Sequence, residues 1–246
     1  MNPVDCHCHL DFEKFDEDRD KVVERAREEL EFVVTVGCTP ERNRKTLEIA
    51  GKYPEFVIPN LGLHPTYTDE FENLDEVKNQ IRENDPPAIG EIGLDHHHVT
   101  DEVLREEQRK VFRELLELAK ELGKPVNVHS REAEQEVIDI LKEYELPGAL
   151  IHCFNGTPEQ ALEAAENGVT IGVTTQVLYS SRVQDIVGKL DVDDVVLETD
   201  SPFLYQGERN EPVNVVESAE KIAELKDTPV EKVVEATTEN AREIFR

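Results

Sequence analysis

Eight short runs of apolar, mostly β-branched residues punctuate the chain, at 4–9, 32–37, 56–63, 88–94, 125–129, 149–154, 169–173 and 195–199. Most are bounded by Gly, Pro, Asp or Thr and lack strict in-out alternation, the pattern of parallel strands covered on both faces. Between them the apolar spacing lengthens to the helical period. Residues 18–30 set Val22, Val23, Ala26 and Leu30 on one stripe with charges elsewhere. Residues 102–122 do the same with Val103, Val111, Leu115, Leu118, Ala119 and Leu122, and Gly123 and Pro125 follow as a stop signal. Further helices are predicted at 41–53, 75–83, 132–144, 158–167 and 181–190. Two more, at 212–225 and 229–245, each open on a proline suited to a first helical turn.

Strand and helix alternating eight times without a low-complexity linker predict an α/β fold, a single (β/α)8 TIM barrel spanning residues 1–246 as one domain. A doubly wound open sheet is the competing architecture. It would place its site at one switch point, usually beside a glycine-rich phosphate loop, and the chain contains neither G-x-G-x-x-G nor a P-loop.

Composition narrows the setting. There are 55 acidic and 27 basic residues, a net charge of −28, which is the wrong sign for a surface that binds duplex nucleic acid. Thermophile ion-pair networks would balance Glu with Lys, but 38 Glu face 13 Lys. Adaptation to high internal salt is the favoured account, since the Debye length falls to about 3 Å at 1 M; an ordinary acidic surface is the alternative. No apolar run reaches membrane-spanning length, and the first strand begins almost at the N-terminus without a secretory pattern, so a cytoplasmic protein is expected. Cys6, Cys8, Cys38 and Cys153 form no C-x-x-C pair and are expected to be reduced.

The chemistry gathers at the predicted strand ends. Val4-Asp5-Cys6-His7-Cys8-His9 puts two imidazoles on one strand face, with Asp5 expected below them. Later ends carry Gly62-Leu63-His64-Pro65, Gly90-Glu91-Ile92-Gly93-Leu94-Asp95, Asn127-Val128-His129-Ser130-Arg131, His152-Cys153-Phe154-Asn155-Gly156 and Glu198-Thr199-Asp200-Ser201-Pro202. A barrel brings these ends to one mouth. His7, His9, Glu91, His129, His152 and Asp200 are the residue types that bind divalent ions, and six of them on five strands are a specific signal. Two ions (Mg, Mn or Zn) fit the count. His7, His9 and Asp200 would hold one, His129 and His152 the other, and Glu91 would bridge. Such a pair holds a hydroxide between its ions, and Asp200 would also take the proton of the attacking water. The competing role for Asp200 is an N-cap, since Asp-Ser-Pro is good cap chemistry.

These motifs, from Asp5-Cys6-His7-Cys8-His9-Leu10-Asp11 to Glu198-Thr199-Asp200-Ser201-Pro202, resemble the TatD family of metal-dependent hydrolases. Arg209-Asn210-Glu211-Pro212 and Thr238-Glu239-Asn240-Ala241 resemble its C-terminal motifs, so the likeness covers nearly the whole chain. The resemblance implies a TIM-barrel hydrolase with divalent metals, several members being deoxyribonucleases. It assigns the six residues above as metal ligands and turns His64, Arg131 and Asn155 toward substrate. The chain departs from the pattern in the run His96-His97-His98, where aromatic residues are common, and at Glu208, where a basic residue is usual. The histidine run reads as solvated loop imidazoles ahead of a third metal site.

The expected activity is hydrolysis of a phosphodiester at a nucleic acid end. A single-stranded terminus or a small phosphodiester suits the acidic surface better than a long duplex, and a monomer is expected. Arg131, two residues beyond His129, can fork two phosphate oxygens, though a salt bridge to a nearby glutamate is its competing role. The alternative activity is hydrolysis of another ester or an amide, amidohydrolase-like or on an aminoacyl-tRNA. Amidohydrolases often bridge their metals with a carboxylated lysine from the fourth strand, where this chain has Glu91 and no lysine, and Lys124 lies before the fifth strand. A binding protein on a degenerate barrel is disfavoured because none of the six groups is missing.

Overall fold

The structure is a computed structural model and describes Met1–Arg246. Its eight strands are β1 (Asp5–Cys8), β2 (Val33–Val36), β3 (Val57–Leu61), β4 (Ala88–Asp95), β5 (Val126–Arg131), β6 (Ala149–Ile151), β7 (Val169–Val173) and β8 (Val195–Leu197). All are parallel and lie in sequence order in one sheet. The ring closes where β8 returns to β1: Asp200 N donates to His7 O at 2.8 Å and His9 N to Ser201 O at 2.8 Å. This is the TIM barrel that the alternating pattern predicts, and the open doubly wound sheet is excluded.

The helices form the outer ring: α1 (Arg19–Glu29), α2 (Pro40–Lys52), α3 (Leu74–Asn84), α4 (Glu102–Leu122), α5 (Glu134–Leu141), α6 (Pro158–Glu166), α7 (Ser181–Lys189), α8 (Val215–Lys226) and α9 (Val230–Phe245). α4 matches its predicted bounds because both ends are chemically marked. The Asp101 side chain accepts from Val103 N and Leu104 N, and Gly123 takes the left-handed conformation that ends the helix. Other bounds shift for identifiable reasons. Pro212 opens a 3-10 turn, Pro212–Asn214, so α8 starts only at Val215, and Pro229 is the N-cap of α9 instead of its first residue. Glu132 has φ 54°, which no helix accepts, so α5 begins two residues later than predicted.

Two cores hold the barrel. A jacket of 52 buried residues joins the outer strand faces to the helices. A second cluster of 11 draws Cys6, Val34, Ala88, Leu150 and Val196 from five strands, with Val4 just before β1; these can meet only inside the barrel, and α9 plugs its base with Ile244 and Phe245. Above that apolar layer the inward residues become polar, and two irregularities in the ladders make the change. From Ile89↔Val126 to Ile92↔Val128, β4 advances three residues while β5 advances two. From Asp5↔Val33 to Cys8↔Thr35, β1 likewise spends three against two. Each extra residue reverses which parity faces inward. Ala88 therefore points in below and Glu91 points in above; Val4 points in below and His7 and His9 above. Asp5 is correspondingly not under the histidine pair on their face. It pairs in register with Val33 and accepts from Thr199 N and Thr199 Oγ1. Gly93, at φ 137°, completes the upper part of β4, because a Cβ there would sit 2.1 Å from His129 O.

Candidate metal centre

Glu91 is the hub of the mouth. Its buried carboxylate receives imidazoles on both oxygens. Oε2 lies 3.4 Å from His7 Nε2 and 3.6 Å from His9 Nε2. Oε1 lies 2.7 Å from His152 Nε2, 2.9 Å from His129 Nδ1 and 3.2 Å from His64 Nε2. Asp200 Oδ1 closes the first lobe at 3.3 Å from His9 Nε2 and 4.0 Å from His7 Nε2. His7 and His9, with Asp200 beside them, thus lie toward Oε2 of Glu91, and His129, His152 and His64 toward Oε1. No helix starts at Asp200, which has φ 55° and is followed by an irregular segment up to Pro212, so it is not an N-cap.

The hydrogen bonds behind the imidazoles fix their tautomers. His7 Nδ1 donates to Asn127 Oδ1 at 3.1 Å, and His9 Nδ1 donates to the Val36 carbonyl at 3.1 Å. With those nitrogens engaged there, both Nε2 atoms turn inward and lie 3.3 Å apart. Two imidazole nitrogens converging with the carboxylate oxygens of Glu91 and Asp200 are the donor set that fits the lobe to a divalent metal. An ion there competes with a proton, because burial of His9 is outweighed by Cys38, Asp200 and Glu91, which raise it well above its ordinary value. In the second lobe His129 Nε2 donates to Asp95 Oδ2 at 2.9 Å, which directs Nδ1 at Glu91. His64 differs. Thr66 N donates to His64 Nδ1 at 3.2 Å, so the neutral ring carries its proton on Nε2 and offers Glu91 a donor. His64 therefore sits inside the cluster as a proton-bearing neighbour, closer to Glu91 than a purely substrate-facing residue would be. Three groups have ligand atoms all within 4.8 Å of one another: His7-His9-Glu91, His64-Glu91-His129 and His7-His152-Glu198.

The protonation states follow from burial and charge. Burial alone would raise Glu91, but His64, His152, His7 and His129 outweigh it and hold the carboxyl well below the usual range. Asp200 is likewise pulled down against burial, chiefly by His9. Burial and the neighbouring His7 imidazole push His152 down to about 4, leaving it neutral. Burial opposes charge on His129 too, but its bonds to Asp95 and Glu91 prevail and lift it to about 9. Burial raises Glu198 well above a normal carboxyl and Cys38 to about 12, so neither offers a ready anion at neutral pH.

Around this hub the mouth has two unlike walls. A cavity of about 510 Å³ is lined by Phe12, Tyr67, Phe203 and Leu204 together with His9, His129 and Asp200. Phe12 and Phe203 meet edge to face with ring centroids 5.1 Å apart. A second cavity of about 320 Å³ shares His129, Arg131, His152 and Asp200 and continues to Asn155, Gln176 and Arg182. Arg131 borders both and has no carboxylate within ion-pair distance, so the salt bridge considered for it does not form, whereas Arg109 and Arg113 are paired with glutamates. Asn155 lines the second cavity, its amide donating to Cys153 O and Gln176 Oε1.

The histidine run stays outside the cluster. His97 pairs with Glu132 and His98 with Asp95, both at ring nitrogens, while His96 faces Glu136 at 3.7 Å. Glu208 lines neither cavity. Lys124 pairs with Asp85, which closes α3; the two precede β5 and β4 and so lie at the barrel end opposite the mouth. All four cysteines are free. The supporting residues Asn127, Asp95 and the Val36 carbonyl were not singled out from sequence. The one available signal is alternation: Asn127 and Asp95 share the parity of His129 and Glu91 on their strands.

Barrels that gather imidazoles and carboxylates on a central glutamate at the strand C-termini form a class of metal-dependent hydrolases, and fold and site together place the chain in it. Residues 4–246 match the family described as TatD related DNase, and the chain belongs to that family. It is 38% identical over 258 residues to the human protein named deoxyribonuclease TATDN3, covering 98% of this chain and 94% of that one. It is 36% identical over 253 residues to YabD of Bacillus subtilis, named an uncharacterised metal-dependent hydrolase, covering 98% of each. The crystal structure of YJJV, a TatD homologue of Escherichia coli, superposes with a TM-score of 0.88 at 28% identity, covering 99% of this chain and 97% of that one. No helix is long and apolar enough to cross a membrane.

Proposed function

We propose that the chain is a two-metal phosphodiesterase acting on the end of a single nucleic acid strand. The observation that supports this most is the junction of the Glu91 hub with Arg131, an arginine left without a carboxylate partner in a chain of 55 acidic residues. His7, His9, Asp200 and Oε2 of Glu91 would hold one ion, and His129, His152 and Oε1 of Glu91 the other. Nitrogen donors outnumber carboxylates, which favours Zn²⁺ or Mn²⁺ over Mg²⁺. When bound, such a pair supplies a low-pKa water and charge stabilisation for in-line displacement at phosphorus.

The side chains supply the rest. Asp200, kept anionic by His9 and open to the cavity, takes the proton of the attacking water. Arg131 forks two oxygens of the scissile phosphate. His64, a neutral donor at Nε2, holds Glu91 and polarises the same pocket. The aromatic wall takes the flat face of a terminal base. The name deoxyribonuclease carried by TATDN3 agrees with this reading.

The test is end-labelled single-stranded DNA and RNA with Mn²⁺ or Zn²⁺, at low and high KCl. Cleavage should start at an end. Asp200→Asn should abolish it, and Arg131→Lys should lower turnover with metal content intact. If these strands stay whole while an ester or amide is cleaved by the same metal-loaded sample, the nuclease reading fails and the hydrolase class alone stands.

A further inference from the structure

Resting on that reading, in which Arg131 takes the scissile phosphate, we infer that Arg182 forms a second phosphate subsite, which takes the phosphate one nucleotide beyond the scissile bond. Arg182, in the first turn of α7, lines the smaller cavity together with Arg131, and it too lacks any carboxylate within ion-pair distance. Two arginines without a carboxylate partner lining one cavity give it the charge to hold an anion in a chain with twice as many carboxylates as cations. Its position is set: Arg182 Nε donates to Gly156 O at 3.1 Å, which ties the guanidinium to the loop after β6 and leaves its terminal nitrogens free.

The rest of the wall is consistent with an oxyanion ligand. Asn155 and Gln176 line the same cavity; the Asn155 amide donates to Gln176 Oε1, and the Gln176 amide nitrogen is left as a donor for the ligand. The carboxylates on that wall are Glu132, already engaged by His97, Glu134, and Asp200 at the hub. The helix end behind Arg182 adds the positive pole of α7, whose Ser180 cap leaves other first-turn amides unpaired. The two cavities share His129, Arg131, His152 and Asp200, so a strand lying across the mouth puts its terminal base against Phe12 and Phe203, its first phosphodiester over Glu91 and Arg131, and its next phosphate against Arg182. The substrate class this selects is an oligonucleotide of at least three units, in preference to a single phosphodiester.

The experiment compares thymidine trinucleotide with the same trinucleotide carrying an uncharged methylphosphonate at the second linkage, and with bis-p-nitrophenyl phosphate. Arg182→Ala should raise KM for the trinucleotide about tenfold, have no effect on the methylphosphonate analogue, and leave bis-p-nitrophenyl phosphate turnover unchanged; Arg182→Lys should recover part of the loss. Calorimetric binding of the trinucleotide in EDTA supplies a readout free of catalysis. There Arg182→Ala should weaken binding and reduce the slope of log K against log salt by about 0.7, the value for one lost contact to a single strand. Equal losses on all substrates, no loss on any, or no binding of the trinucleotide overturn the subsite. Arg182-dependent binding without cleavage keeps the subsite and removes the nuclease reading; cleavage indifferent to Arg182 does the reverse.

Discussion

At the scale of single residues, the site is a set of imidazoles whose useful nitrogen is chosen from behind. Asp95 shows this most clearly. It holds His129 Nε2 at 2.9 Å, accepts from His98 N at 2.7 Å, and is itself fully buried. Its pKa is held far below the ordinary carboxylate value, because the bonds from His129 and His98 outweigh burial. Asp95→Asn keeps the shape and removes the charge that makes His129 a basic ligand. Metal affinity of the second lobe should fall about 10- to 100-fold, the usual cost of losing an outer partner. Competition with a chromophoric chelator measures it; an affinity within twofold of the parent would remove Asp95 from the account. The inward-facing residues were legible as types at strand ends. Their orienting partners were not, because His7 meets Asn127 across 120 residues and no local pattern encodes that pair.

At the scale of elements, the pattern located every strand and helix but misplaced several ends, and the errors fall where function begins. β6 and β8 stop at Ile151 and Leu197, short of the predicted 154 and 199. The residues beyond leave the ladder to serve the mouth: Cys153 has φ 46° and Asp200 φ 55°, conformations a strand cannot contain. The bulges of β1 and β4 were equally hidden. An extra residue in one strand is visible only against its neighbour's register, and hydrophobicity does not mark it when Cys6, Gly90 and Ile92 are all compatible with burial. Those two bulges let one barrel carry an apolar floor and a polar mouth on the same strands. Helices with chemical punctuation, such as α4 between Asp101 and Gly123, were read correctly for that reason.

At the scale of the whole molecule, charge dominates. The net −28 is spread over a surface where most cations are already paired, as with Arg25 and Glu211 or Arg242 and Glu31, so the remaining carboxylates repel one another without local compensation. Raising KCl from about 0.1 M to about 2 M shortens the screening length from about 10 Å to below 3 Å. The melting temperature should rise over that range, and a flat or falling curve would leave the high-salt account without support. Sulfate is unsuitable because it stabilises most proteins by exclusion. The same field would disfavour a long duplex, and in the proposed reading Arg131 and Arg182 are the cations at the mouth that a phosphate chain meets.

The central claim is that Glu91 divides the mouth into two cation lobes. Crystals soaked in Mn²⁺ and measured for anomalous scattering test it directly. The account predicts two peaks in each molecule, one against His7, His9 and Asp200 and one against His129 and His152, with one oxygen of Glu91 toward each. Both peaks should weaken in Glu91→Ala. A single peak, or two that persist undiminished without the Glu91 carboxylate, would contradict it.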